Sequence, residues 1–203
     1  MSEAPSGAPF VQPESFAFTP ENRAKADAFI AKYPAGRQAS AVLSLLYLAQ
    51  DQHENWIPRA AMDHVAEILS MPPIRVYEVA SFYSMFNLRP VGRHFLQVCT
   101  TTPCWLRGSD AVMAACKKKL GVGVGETTAD KKFTLLEVEC LGACVNAPVI
   151  QVNNADFYED LDAASTEKLI DALGRGETPP KGSAIGRQNA APAGGPNTLT
   201  ELK

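Results

Sequence analysis

Two short cysteine pairs carry the residues in this sequence best suited to chemistry. Cys99-Thr-Thr-Thr-Pro-Cys104 has the spacing C-x4-C, and Cys140-Leu-Gly-Ala-Cys144 has C-x3-C. Each spacing puts two soft thiolates on one short loop, and two such loops together make a four-sulfur pocket. Such a pocket suits iron–sulfur clusters or zinc and suits hard cations poorly. Three chemistries compete for it. An iron–sulfur cluster of the [2Fe–2S] type is anionic when bound by four thiolates, so it needs N–H or O–H donors and small residues near its sulfurs. Gly142 and Ala143 leave that room, and the hydroxyls of Thr100, Thr101 and Thr102 are available donors. Structural zinc accepts four cysteines at similar separations, although C-x2-C loops are commoner. Thiol–disulfide exchange uses C-x-x-C beside a strand, a motif this sequence lacks. Spacing therefore ranks a cluster first, zinc second and thiol exchange last.

The remaining candidates read as structural. Cys116 shares a helical face with Val112, Met113 and Leu120, which makes it a core thiol and not a fifth ligand. Gly121-Val-Gly-Val-Gly125 follows a helix and lacks the G-x-G-x-x-G spacing, so it reads as a helix cap and loop, not a nucleotide cradle. His53, His64 and His94 are dispersed; the first two read as surface residues and the third as the start of a strand. Glu159, Asp160 and Asp162 read as a solvated acidic turn. Trp105 either shields the cysteine site or packs in the core. No Ser/His/Asp set or carboxylate pair stands out as catalytic.

The elements that position the cysteines follow from periodicity and breakers. Residues 1–18 are rich in Pro, Ala, Gly and Ser and read as a flexible N-terminal arm, with Phe10, Val11, Phe16 and Phe18 able to lie on a surface. Residues 19–87 read as a small helical unit. Thr19 caps a first helix with Pro20 in its first turn, ending near Lys32. A second helix spans Gln38 to Gln50, Pro58 opens a third, and Pro72-Pro73 breaks that one and starts a fourth. The last two resemble a helix-turn-helix. A DNA reader needs polar and basic residues on its second helix, whereas this one offers Arg75 and Glu78 among apolar side chains. Residues 88–174 then read as an α/β layer in the order β-α-β-β-α. His94–Val98 is a strand delivering Cys99, and a helix runs from Ser109 or Asp110 to Leu120, capped by Gly121. Phe133–Glu139 delivers Cys140, and Pro148–Val152 is a third strand. Asn153-Asn154 is a turn, Asp156–Glu159 a short strand, and a final helix runs from Ser165 or Thr166 to Gly174. Residues 175–203 are Gly- and Pro-rich without apolar periodicity and read as an extended C-terminal tail. The expected class is α+β: a small N-terminal helical bundle, an α/β cysteine-bearing domain, and the tail.

Composition bounds the function. The chain has 203 residues, a formal charge of -3 and 46% hydrophobic residues, enough for one or two cores. Mild acidity gives no electrostatic case for nucleic acid. No run of about 18 apolar residues is present. The first residues have neither a basic nor an apolar signal region, which predicts a reducing compartment and favours metal over disulfides for the paired cysteines. A one-electron centre without a hydride site needs a partner, such as a flavoprotein, that converts hydride pairs into single electrons.

The motifs resemble a known family. Cys99-Thr-Thr-Thr-Pro-Cys104, Val138-Glu-Cys140-Leu-Gly-Ala-Cys144-Val-Asn-Ala-Pro148 and Arg75-Val-Tyr-Glu-Val-Ala-Ser-Phe-Tyr83 look like those of the 24 kDa subunit of respiratory complex I, the NADH:ubiquinone oxidoreductase, and of its bacterial counterpart. The likeness runs from about Thr19 to about Lys181, and Pro192-Ala-Gly-Gly195 resembles the tails of mitochondrial and proteobacterial members. The resemblance implies a thioredoxin-like ferredoxin domain behind a helical docking domain. It implies one [2Fe–2S] cluster on Cys99, Cys104, Cys140 and Cys144, exchanging single electrons with the FMN of a partner. The implied partners are the FMN- and NADH-binding flavoprotein subunit and the large iron–sulfur subunit of the same module. The implied location is peripheral, on the cytoplasmic face of a bacterial inner membrane or the matrix side in an organelle. The equivalent subunit of an NAD-linked hydrogenase or formate dehydrogenase shares the motif, and a free thioredoxin-like ferredoxin or a zinc-stabilised interaction module is a rival of another class.

Overall fold

The computed structural model describes residues 10–188 and, beyond them, 190, 194, 195 and 198. The chain divides into two compact units between Arg93 and His94. Residues 88–93 thus fall with the helical unit and not with the sheet.

Four helices make the first unit: α1 (Pro20–Ile30), α2 (Val42–Gln52, entered through a 3-10 turn at Gln38–Ala41), α3 (Arg59–Ile68) and α4 (Pro73–Phe82). Thr19 caps α1 by accepting from the Asn22 N–H at 3.2 Å, which satisfies one of the donors a helix start leaves open. Leu45, Leu46, Ile57, Val65 and Val76 are fully buried in the unit's core. Buried Gln50 is satisfied: its amide donates to Met85 O at 3.1 Å and accepts from Asn87 N at 2.7 Å. Those bonds hold the chain leaving α4 against α2.

One expectation for this unit changes, the surface placement of His53 and His64. The end of the N-terminal arm lies on the helices. Phe10 meets Trp56 edge-on with ring centroids 5.4 Å apart, Phe18 is buried, and Gln12 accepts from the Arg59 N–H at 2.9 Å. His53 and His64 are half-buried beneath that segment, His53 against Phe16 and Trp56, His64 against Phe16 and Phe18. The aromatic residues of the arm have apolar area to bury, and the imidazole faces receive it.

The second unit is a five-stranded sheet in the order β2-β1-β3-β4-β5. The strands are β1 (His94–Cys99), β2 (Phe133–Val138), β3 (Ile150–Val152), β4 (Asp156–Glu159) and β5 (Gly182–Ser183). β1 runs parallel to β2 and antiparallel to β3, with Leu96 opposite both Leu135 and Val152. Five of its six residues are buried, as expected of a central strand covered on both faces. β3 and β4 form a hairpin whose loop residues Asn153 and Asn154 have φ of 55° and 56°, a conformation asparagine tolerates. Three helices complete the unit: α5 (Thr102–Leu106), α6 (Ser109–Leu120) and α7 (Ala163–Gly174). Gly121 ends α6 at φ 68°, and Lys117, Lys118 and Lys119 fill its last turn, where the helix dipole favours cations. Val112, Cys116, Leu135 and Ile150 are fully buried in the core between sheet and helices.

Four differences from the sequence reading lie here. Cys104 sits on the short helix α5 and not on a loop; Pro103 in its first turn favours the helical backbone there. α7 starts at Ala163, because Asp162 and Ser165 form a reciprocal capping box. The acidic stretch is solvated only in part: Asp162 is exposed and caps α7, whereas Glu159 accepts from Asn146 and the Asp160 side chain is 2% exposed against Arg187. The tail does not simply extend away after Gly174. Its segment Gly182–Ser183 adds β5 parallel to β4, with Tyr158 opposite Gly182. Pro192 and Ala193 of the Pro192–Gly195 likeness fall outside the described residues.

Candidate metal centre

Each cysteine pair is delivered by a different kind of support. Cys99 is the last residue of β1, and its N–H donates to Val149 O at 3.1 Å. Cys104 follows on α5. Both are nearly inaccessible, at 2% and 1% exposure, and pack with Ala147 and Val149. Cys140 and Cys144 are exposed. They flank a turn after β2, with Cys144 opening a 3-10 turn through Asn146. Gly142 in that turn has φ +79°, which a side chain disfavours. Its N–H points back at Cys140 Sγ, 3.4 Å away.

The four sulfurs come together two by two. Cys140 Sγ and Cys144 Sγ are 3.3 Å apart. Burial and the neighbouring Cys99 thiol raise Cys104, with a smaller push from Cys144. The Thr101 hydroxyl lies 3.3 Å from Cys99 Sγ. Of the three threonines in the loop, Thr101 is therefore the one seen beside sulfur. Thr100 donates to Glu137 at 2.6 Å instead.

The electrostatics follow from this placement. Burial first, and then the neighbouring Cys99 thiol, push Cys104 up to about 12. The Gly142 N–H holds Cys140 below the usual thiol range, and its bond to Cys140 raises Cys144. Four thiolates do not coexist here without a cation to offset their mutual repulsion. Two pairs of soft donors, with an N–H and a hydroxyl beside sulfur, fit a group containing two iron atoms.

The comparisons agree with the donor chemistry. Residues 26–174 match the family model described as thioredoxin-like [2Fe-2S] ferredoxin. The chain belongs to the thioredoxin-like [2Fe-2S] ferredoxin family. It is 58% identical over 157 residues to a subunit of the NADH-quinone oxidoreductase of Rickettsia typhi, covering 77% of this chain and 92% of that one. It is 52% identical over 186 residues to the mitochondrial NADH dehydrogenase [ubiquinone] flavoprotein 2 of Dictyostelium discoideum, covering 92% of this chain and 75% of that one. An NAD+-reducing [NiFe]-hydrogenase structure shares the fold at 24% identity and a TM-score of 0.56, over 64% of this chain and 23% of the hydrogenase chain.

The other singled-out residues lie elsewhere. Cys116 is fully buried in the sheet–helix core. Trp105 is 57% exposed on α5, which removes it from the core. Gly121 caps α6, and the Gly123 N–H donates to Glu126, so the glycine run is a loop held by its own side chain. Sequence reasoning did not single out Arg187. It reaches the Cys140–Cys144 turn by donating to Val145 O from 42 positions along the chain, and no local pattern marks it.

Proposed function

We propose that the chain is the electron-transfer subunit of the NADH dehydrogenase module of NADH-quinone oxidoreductase, with one [2Fe–2S] cluster held by Cys99, Cys104, Cys140 and Cys144. The observation that carries the assignment is the match of residues 26–174 to the thioredoxin-like [2Fe-2S] ferredoxin family, and it is supported by Thr101 Oγ1 lying 3.3 Å from Cys99 Sγ and Cys140 Sγ lying 3.3 Å from Cys144 Sγ. A bound [2Fe–2S] cluster supplies a one-electron couple. Buried Cys99 and Cys104 keep water from one side, and the rigid end of β1 limits their movement. Exposed Cys140 and Cys144 leave the other side open to a partner surface. Gly142 N–H and the Thr101 hydroxyl stand ready to donate to thiolate sulfur, which stabilises negative charge there.

The partner in this reading is the FMN- and NADH-binding flavoprotein subunit, with the large iron–sulfur subunit in the same module. The helical unit serves as the docking element. Ile74 and Phe82 are 59% and 79% exposed on α4, which supports a protein contact there. No helix among the described residues is long and apolar enough to cross a membrane. The subunit is then held peripherally, at the cytoplasmic face of a bacterial inner membrane, through its partners.

Anaerobic purification tests the assignment. The protein is expected to be brown, with two irons and two acid-labile sulfides per chain. A colourless zinc protein overturns it. Alone, the chain is expected not to reduce ferricyanide with NADH. Co-purification with membrane quinone-reductase subunits separates this reading from a hydrogenase diaphorase.

A further inference from the structure

The two cysteine pairs differ in how they are held. Cys99 and Cys104 are fixed by a central strand and a helix. Cys140 and Cys144 flank an exposed turn that no helix or strand contains, apart from the short 3-10 turn at Cys144–Asn146. Yet that turn is anchored from behind. Asp160 N–H donates to Asn146 O at 2.7 Å, and Asn146 Nδ2 donates to Glu159 Oε2 at 2.8 Å. The third anchor comes from the chain after β5. Arg187 Nη2 donates to Val145 O at 2.6 Å and to Asp160 Oδ1 at 2.7 Å. Asp160 also accepts from Ser183 Oγ at 2.7 Å, and Ser183 Oγ accepts from the Arg187 N–H at 2.9 Å. The carboxylate is almost completely buried, so its pairing with Arg187 is poorly screened.

We infer that Arg187 is a positioning residue for the exposed cysteine pair: it latches the C-terminal segment onto the carbonyl next to Cys144 and so sets the geometry of that thiolate. This rests on the cluster assignment above. β5 brings the segment alongside β4 by pairing Glu159 with Ser183, and the guanidinium spans from the Asp160 carboxylate to Val145. Arg187 acts through the backbone of residue 145, one position from the cysteine it orients. A planar fork with several donors can hold the carboxylate and the carbonyl together; a lysine ammonium on a flexible stem holds them less rigidly.

The test compares anaerobically purified wild type, Arg187→Gln and Arg187→Lys as full-length holoproteins. Three quantities are read: iron and sulfide content, the rate of iron loss to a chelator, and the electron paramagnetic resonance line shape of the reduced protein. Arg187→Gln is expected to release iron about tenfold faster, the scale of losing hydrogen bonds to a charged group, with altered g anisotropy. Arg187→Lys is expected to fall between Gln and wild type. A lower melting temperature with an unchanged line shape marks a merely structural latch and overturns the inference. Wild-type line shape and release rate in Arg187→Gln overturn it too. If Arg187→Gln does not fold, Arg187→Lys with wild-type spectrum and release rate overturns it as well. Wild type without iron or sulfide instead overturns the cluster assignment, which keeps the two failures apart.

Discussion

At the scale of single residues, burial sorts five cysteines into three roles. Cys99 and Cys104 are nearly inaccessible, Cys140 and Cys144 are exposed, and Cys116 lies in the sheet–helix core. Replacing Cys104 or Cys144 by Ala is expected to lose or deplete the cluster, measured as iron and sulfide per chain. Cys116→Ala is expected to keep full iron content and to cost about 1–2 kcal/mol of stability in denaturant unfolding, from lost core contacts. The same thiol gives a pH dependence. Burial pushes Cys116 from 9.0 up to about 12, so the folded state favours its neutral form. The resulting stability is complete below pH 9.0 and is lost as pH rises from there through about 12. Unfolding midpoints measured from pH 7 upward are expected to fall less steeply above pH 9 in Cys116→Ala than in wild type.

Elements are positioned by caps and register as much as by apolar pattern. α7 packs Leu169, Ile170 and Leu173 into the core, and its start is set by the reciprocal bonds of Asp162 and Ser165. Asp162→Ala is expected to cost about 1 kcal/mol in denaturant unfolding, the usual cost of losing an N-cap. Asp162→Asn keeps an acceptor and is expected to recover most of that loss. Faster hydrogen exchange at the Ser165 amide should accompany the Ala change only. β1 sets the site from the other side. Its pairing with β2 and β3 places Cys99 at the sheet end, opposite Val138 and bonded to Val149 O.

For the whole molecule, the division at Arg93–His94 separates a helical unit from a unit that contains all five cysteines. The helical unit's exposed apolar side chains include Phe82, which meets Tyr83 edge-on at 5.0 Å. In the proposed docking role, Phe82→Ala combined with Ile74→Ala is expected to weaken association with the flavoprotein about tenfold, as for loss of one aromatic anchor. Iron content should not change. Affinity equal to wild type in titration of the purified partner would place docking elsewhere on the chain.

Short-range physics made much of this protein legible from sequence. Thr19-Pro20 marks a helix start, Gly121 a helix end and Asn153-Asn154 a hairpin, because each depends on the dihedral preferences of neighbouring residues. The paired cysteines point to a soft-metal site by type and spacing alone, and that is the reading proposed for them. The tertiary structure decided what depends on partners far along the chain. Asp160 reads as a solvated acid until Arg187, 27 residues on, buries and pairs it. His53 and His64 read as surface until Phe16 covers them. A Gly- and Pro-rich stretch reads as a loose tail until β4 offers it an open edge. In each case the deciding free energy, burial of a charge pair, of aromatic area or of unpaired backbone groups, comes from surfaces that only the folded chain brings together.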